Sequence, residues 1–160
     1  MDELRYLILA AQREGSRTMH DALRDLELTP AQAEVLDVLG RHQPVTLVEL
    51  GRLLVCELGS PSRLVDSMVR RGLVSRTPHP HDKRAVTMEL TESGRALAAQ
   101  LDEATGELTD RIEKLLTPAE IDTTISLLTK LVRGTHRGEA LRHRFPVHRR
   151  QPVQEPAGTK

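Results

Sequence analysis

The chain has no tryptophan, and one tyrosine with one phenylalanine brings its aromatic content to 1%. A pocket that stacks a flat phenolic ligand between rings is therefore poorly supported. Cysteine is as scarce: Cys56 stands alone, which excludes an internal disulfide and is compatible with a reducing compartment. Long apolar runs are missing as well. The longest early one, Leu7 to Ala11, is too short for a membrane span or a signal core and gives way to Gln12, Arg13 and Glu14. A soluble cytoplasmic protein is the expectation. Catalytic signatures are also wanting: there is no phosphate loop, no G-x-S-x-G, no H-E-x-x-H and no paired-cysteine motif. The chain is expected not to be an enzyme and to need no cofactor. His79, His81 and Asp82 imitate the start of a metal-hydrolase site, but the further spacer and second histidine are lacking. No metal is expected, and phosphate contact or solvation suits the two histidines better.

Net charge is also lacking: 23 Lys and Arg balance 23 Asp and Glu. Taken as a sum, that argues against a nucleic-acid partner. The distribution says otherwise. Residues 60–95 hold seven Lys or Arg against four acids, whereas residues 1–30 hold four Arg against six acids. Positive charge gathers where an electrostatic footprint for a polyanion would lie.

What is present is a set of helix starts. Thr29 to Gln32, Thr46 to Glu49 and Thr117 to Glu120 each place a hydroxyl at a cap with Glu or Gln three residues on, the pattern of a capping box. Pro30 and Pro118 occupy the first helical position, where the missing N–H costs nothing. Apolar residues from Leu4 to Leu23 recur at steps of three and four and predict a long amphipathic helix. Val35, Leu36, Val38 and Leu39 give the next helix a buried stripe ending near Gly40.

The stretch from Pro44 to Leu90 reads as helix (Leu47–Leu54), break (Val55–Gly59), helix (Ser60–Arg71), then two extended segments around a polar loop. That order is a winged helix-turn-helix, whose second helix fits the DNA major groove. On a wheel of that helix with Ser62 at zero, Asp66, Arg70, Arg63 and Ser67 span about 40–140°, while Leu64, Met68, Pro61, Val65 and Val69 span about 200–340°. One face packs on the protein; the other is narrow, short-chained and basic, as base-reading surfaces tend to be. The start at Ser60 and Pro61 puts Arg63 where a capping box wants an acid. That placement opposes the helix dipole unless a phosphate or a guanine approaches. Gly72 is a helix stop, and Leu73 to Arg76 a short strand. With two prolines, Pro78 to Arg84 is read as a loop, and Val86, Met88 and Leu90 as the inward residues of a strand. Arg84, at the basic tip, suits a narrow minor groove.

Thr91 to Gly94 opens a helix carrying Leu97, Leu101, Ala104, Leu108, Ile112 and Leu115; the last helix carries Ile121, Ile125, Leu128, Leu131 and Val132. A winged module of about 60 residues cannot cover these stripes together with that of the first helix, so they are expected to pack across a two-fold axis. The division is 1–28 with 91–133 as a dimerisation region and 29–90 as the winged module. Residues 134–160, with six Lys or Arg, two acids and three prolines, read as a mostly disordered basic tail. The fold class is mainly α with a small β-hairpin.

Leu28 to Leu36, Val65 to Val74 and above all the run from Asp82 to Gly94, with its Asp-x-Arg, alternating strand and Leu-Thr-x-x-Gly, resemble the multiple-antibiotic-resistance regulator (MarR) family over residues 4–133. The resemblance implies a homodimeric transcriptional regulator, usually a repressor. It would bind a palindromic operator in double-stranded DNA and be released by a small ligand or by thiol oxidation. It implies that Ser60, Ser62, Arg63, Ser67 and Arg70 face the major groove and Arg84 the minor groove, with Asp82 orienting the wing arginine. With their neighbours, the expected DNA-contacting set is Ser60, Pro61, Ser62, Arg63, Ser67, Arg70, Arg76, His81, Asp82, Lys83 and Arg84. Family ligands sit where the dimer helices meet the winged module, which makes Tyr6, Arg13, His20 and His42 effector candidates. The wing here is richer in histidine than is usual, and the oxidation-sensing branch has its cysteine near the N-terminus, where this chain has none. Two alternatives remain open: a thiol-responsive regulator using Cys56, and a winged-helix protein-interaction module without specific DNA binding.

Overall fold

Each helix from the second to the last, with one exception, begins where a threonine hydroxyl caps it. The computed structural model describes residues 2–56, 60–79 and 82–146, with the backbone only at Asp82, Lys83 and Arg84. Thr29 Oγ1 accepts from the Gln32 amide at the start of α2 (Pro30–His42), and the Gln32 side chain accepts from the Thr29 N–H in return. The same reciprocal pair joins Thr46 and Glu49 at α3 (Leu47–Leu53) and Thr117 and Glu120 at α6 (Pro118–Val132). All three boxes expected from the sequence are formed. Thr91 caps α5 (Glu92–Leu115) and Thr135 caps α7 (His136–Arg144). The exception is α4 (Pro61–Arg70), whose cap residue Ser60 makes no side-chain capping bond. The N-terminal helix α1 runs from Asp2 to Arg24.

A three-stranded antiparallel sheet, in the order β1-β3-β2, is built from β1 (Val45–Thr46), β2 (Val74–His79) and β3 (Asp82–Leu90). Two features depart from expectation. The sequence suggested a two-stranded hairpin, but Val45 and Thr46 pair with Met88 and Thr87 as a third strand. Two residues cannot display an alternation, and Thr46 was already spoken for as a helix cap. Pro78 and His79, read as loop, belong to β2, as do Asp82 to Arg84 to β3. A proline is tolerated here because β2 is an edge strand, and an irregularity between Pro78 and His79 brings His79 opposite Asp82 while Pro78 faces Val86.

The core forms between α2, α3, α4, the sheet and the start of α5. Val35, Leu36, Val38, Leu39, Leu50, Val65 and Met68 are fully enclosed there. At the end of α4, Gly72 takes φ +69°, and the amides of Gly72 and Leu73 donate to the carbonyls of Val69 and Met68, closing the helix as its glycine predicted. The chain beyond Gly134 departs from expectation more widely. Instead of a structureless tail from 134, residues His136–Arg144 form α7, which lies against α3 with Ala140 buried. The composition concealed it because a nine-residue helix, rich in Arg and His, buries little apolar surface and is held by ion pairs instead. Residues 147–160 lie outside the described part.

Candidate nucleic-acid interface

The geometry of α4 follows from its two faces. Val65 and Met68 are enclosed, and Leu64 and Val69 pack partly against the core. The wheel therefore turns Arg63 and Arg70 outward, and both are exposed. Pro61, Ser62, Asp66 and Ser67 are half-buried between these faces. Ser67 Oγ donates to the Leu64 carbonyl at 2.7 Å, so its oxygen lone pairs, rather than its proton, are what it can offer a partner. Ser60 leaves the first-turn amides of α4 without a side-chain acceptor, which suits an incoming anion.

The wing is tied to this helix by charge. Arg76 on β2 donates from Nη2 to Asp66 Oδ1 at 2.6 Å, with both side chains little more than a third exposed. Of the expected contact residues, Ser60, Pro61, Ser62, Arg63, Ser67 and Arg70 share α4, and Arg76 stands beside them on β2. Asp82, Lys83 and Arg84 lie on the described backbone of β3, and His81 lies outside the described residues. Arg71 points elsewhere: its Nη1 donates to the Glu27 carbonyl and to Gln32 Oε1, tying the end of α4 to α2.

The break between α3 and α4 is held by a residue the sequence reading passed over. Glu34, on the buried stripe of α2, accepts the amides of Val55 (2.6 Å) and Cys56 (2.8 Å). The available signal was an acid flanked by Ala33, Val35 and Leu36, where a helix should present only apolar side chains. Burial pushes the Cys56 thiol up to about 11, helped by a hydrogen bond to Glu34 and by that carboxylate's charge. A thiol so held is a weak nucleophile near neutrality, which counts against a redox role.

The four effector candidates do not converge. Tyr6 is 59% exposed, with the Arg5 guanidinium 4.5 Å from its ring centre. Arg13 and His20 are exposed on α1, and His42 ends α2 with its Nε2 buried and without a partner among the described residues. A cleft of about 420 Å³ does open between α1 and α5. Met19, Leu26 and Leu108 line it, with Asp21, Asp25 and Glu107 beside them, and it includes none of the four candidates. Among the described residues no cluster of His, Cys, Asp and Glu could hold a metal ion, and no helix is long and apolar enough to cross a membrane.

Residues 26–85 match the model of the MarR family. Multiple antibiotic resistance protein MarR of Escherichia coli is 35% identical over 127 residues, which cover 79% of this chain and 88% of that one. The organic hydroperoxide resistance transcriptional regulator of Bacillus subtilis is 29% identical over 60% of this chain and 65% of its own length. Among solved structures, a mutant E. coli MarR complexed with operator DNA matches with a TM-score of 0.70 at 34% identity, over 81% of this chain and 94% of that one. The transcriptional repressor CouR, bound to a 23-mer DNA duplex, matches at 0.71 with 28% identity, over 81% and 92%.

Proposed function

That this chain belongs to the MarR family of transcriptional regulators, and is not an enzyme, is the premise from which we propose that it binds a palindromic operator as a homodimer and represses from it. The observation that carries the reading is α4 itself. It is a ten-residue helix with Val65 and Met68 fully enclosed and Arg63 and Arg70 exposed, in a fold shared with two proteins solved on duplex DNA. In this reading Ser60, Ser62, Arg63, Ser67 and Arg70 face the major groove, Arg63 and Arg70 reading guanine edges or phosphates. Arg76, His81 and Lys83 contact the backbone, and Arg84, oriented by Asp82, enters the minor groove.

The dimer is supported by what one chain leaves uncovered. No residue of α6 is buried, and Leu115, Ile125, Leu128 and Leu131 are each roughly half or more exposed, as are Leu4 and Leu7 of α1. A run of apolar side chains on both terminal regions is more than an isolated soluble chain normally shows. Packing residues 1–28 and 91–133 of two copies together would cover it and set two copies of α4 about 34 Å apart, one turn of DNA. The cleft between α1 and α5 is a reasonable place for a releasing effector, and its three carboxylates favour a ligand with an apolar body and a positive charge. Selection of bound sequences from random duplexes, with the number of chains per duplex, tests the reading.

A further inference from the structure

The last helix among the described residues, α7, lies outside the stretch that the family model matches, and it ends in a largely buried arginine. Arg144 keeps only 13% of its side chain exposed; Nη1 donates to Glu34 Oε1 at 2.8 Å and Nη2 to Asp37. Glu34, with 6% of its side chain exposed, is the carboxylate that also accepts the amides of Val55 and Cys56 in the break between α3 and α4. Asp37 in turn accepts from Arg41 Nε at 2.7 Å. One buried acid thus binds the backbone of the helix-turn-helix on one side and the C-terminal helix on the other.

We propose that α7 is an intrachain brace and Arg144 a positioning residue that fixes the α3–α4 turn, and through it the orientation of α4 toward DNA. The physical reason is the cost of leaving Glu34 alone. A carboxylate buried to this degree is tolerated only when paired and hydrogen-bonded, and the two amides carry only partial charge. With Arg144 withdrawn, Glu34 must take up water or reorient, and either change releases the turn. The other end of the brace is equally constrained. Gly134 holds φ +77° in the three-residue corner after α6, and a Cβ on Gly138 would sit 2.1 Å from the Val132 carbonyl oxygen. The corner therefore holds α7 at one angle to α6, so a shift of α6, part of the proposed dimer surface, reaches the turn through α7 and Arg144. Asp37, held in place by Arg41, keeps the guanidinium aimed between two acids.

The inference rests on the proposed DNA-binding role of α4, and its test separates the two. In the full chain, amide exchange at Val55 and Cys56 is followed together with affinity for a duplex that the unmodified chain selects. Arg144→Met is expected to speed exchange at both amides at least about tenfold with the amides of α5 unchanged, and to weaken duplex binding roughly 3- to 30-fold. Arg144→Lys restores part of each, since one ammonium cannot reach both carboxylates as a forked guanidinium does. Should Arg144→Met not fold, Gly138→Ala disturbs the corner with every charge retained and is expected to give the same pair of effects. Arg142→Gln, on an exposed side chain paired to Glu139, changes neither. Unchanged exchange at Val55 and Cys56 in the folded variants overturns the brace, and faster exchange with unaltered affinity overturns the positioning role. If the unmodified chain selects no duplex, the regulator reading falls, while exchange alone decides the brace.

Discussion

Arg76 and Asp66 join the wing to the helix proposed to read DNA: the guanidinium on β2 reaches the carboxylate on α4 at 2.6 Å across ten residues of sequence. The pair sets an acid among the basic side chains of the proposed contact surface. Both groups are more than a third exposed, so its value to stability is small, under about 1 kcal/mol. Asp66→Asn is expected to shift the urea midpoint only slightly while raising affinity for random duplex at low salt, because one repulsive charge is gone and Arg76 is freed for phosphate. A loss of more than about 2 kcal/mol would mean that the pair is not screened as its exposure requires.

Arg63 is exposed in the first turn of α4, with no side-chain cap beneath it. Arg63→Ala should lose roughly 1–3 kcal/mol on the selected duplex and relax preference at one base pair per half-site. An equal loss on every sequence would assign the side chain to phosphate instead.

Gly94 ends the Leu-Thr-x-x-Gly run for a steric reason: a Cβ there would lie 2.0 Å from the Leu73 carbonyl oxygen. The same carbonyl accepts the Thr91 amide, and Thr91 Oγ1 donates to the Gly72 carbonyl, so α5 starts directly against the corner between α4 and β2. Gly94→Ala is expected to cost about 1–3 kcal/mol in denaturant unfolding. Gly40→Ala, where nothing lies within 4 Å, should be neutral or gain up to about 1 kcal/mol. Equal effects at the two glycines would refute the contact as the cause.

Cys56 is the only thiol, so its alkylation can be read by mass alone. Its value is raised from 9.0 to about 11, so the folded chain holds the proton more tightly than the unfolded one. The stability tied to that proton is present below pH 9 and is lost as pH rises from 9 toward 11. Near neutrality, carbamidomethylation of the folded chain should run roughly a hundredfold slower than in denaturant, and its rate should keep climbing past pH 9. A plateau near 9, or peroxide that abolishes duplex binding, would restore the thiol-responsive alternative.

Local rules carried far in this chain because local chemistry settles much of it. Thr29, Thr46 and Thr117 announce their helices through a hydroxyl and an acceptor three residues on, and all three boxes form. The wheel of α4 separates its residues correctly, because burial of Val65 and Met68 and exposure of Arg63 and Arg70 depend on helical period alone. What stayed hidden was set by partners distant in sequence. Val45 becomes strand only because Met88 lies opposite, Pro78 is tolerated because β2 is an edge, and α7 is anchored by an arginine 110 residues from its acid. Glu34 stands out on an apolar stripe, but Arg144 looks like an ordinary surface charge until the fold brings the two together.

Selection of bound sequences from random duplex DNA by the full chain, with the mass of the resulting complex, tests the central claim most directly. The account predicts enrichment of an inverted repeat with half-sites centred about 10 base pairs apart, held by two chains per duplex, with affinity that falls steeply as salt rises. A chain that remains monomeric and enriches no sequence even at low salt would contradict it.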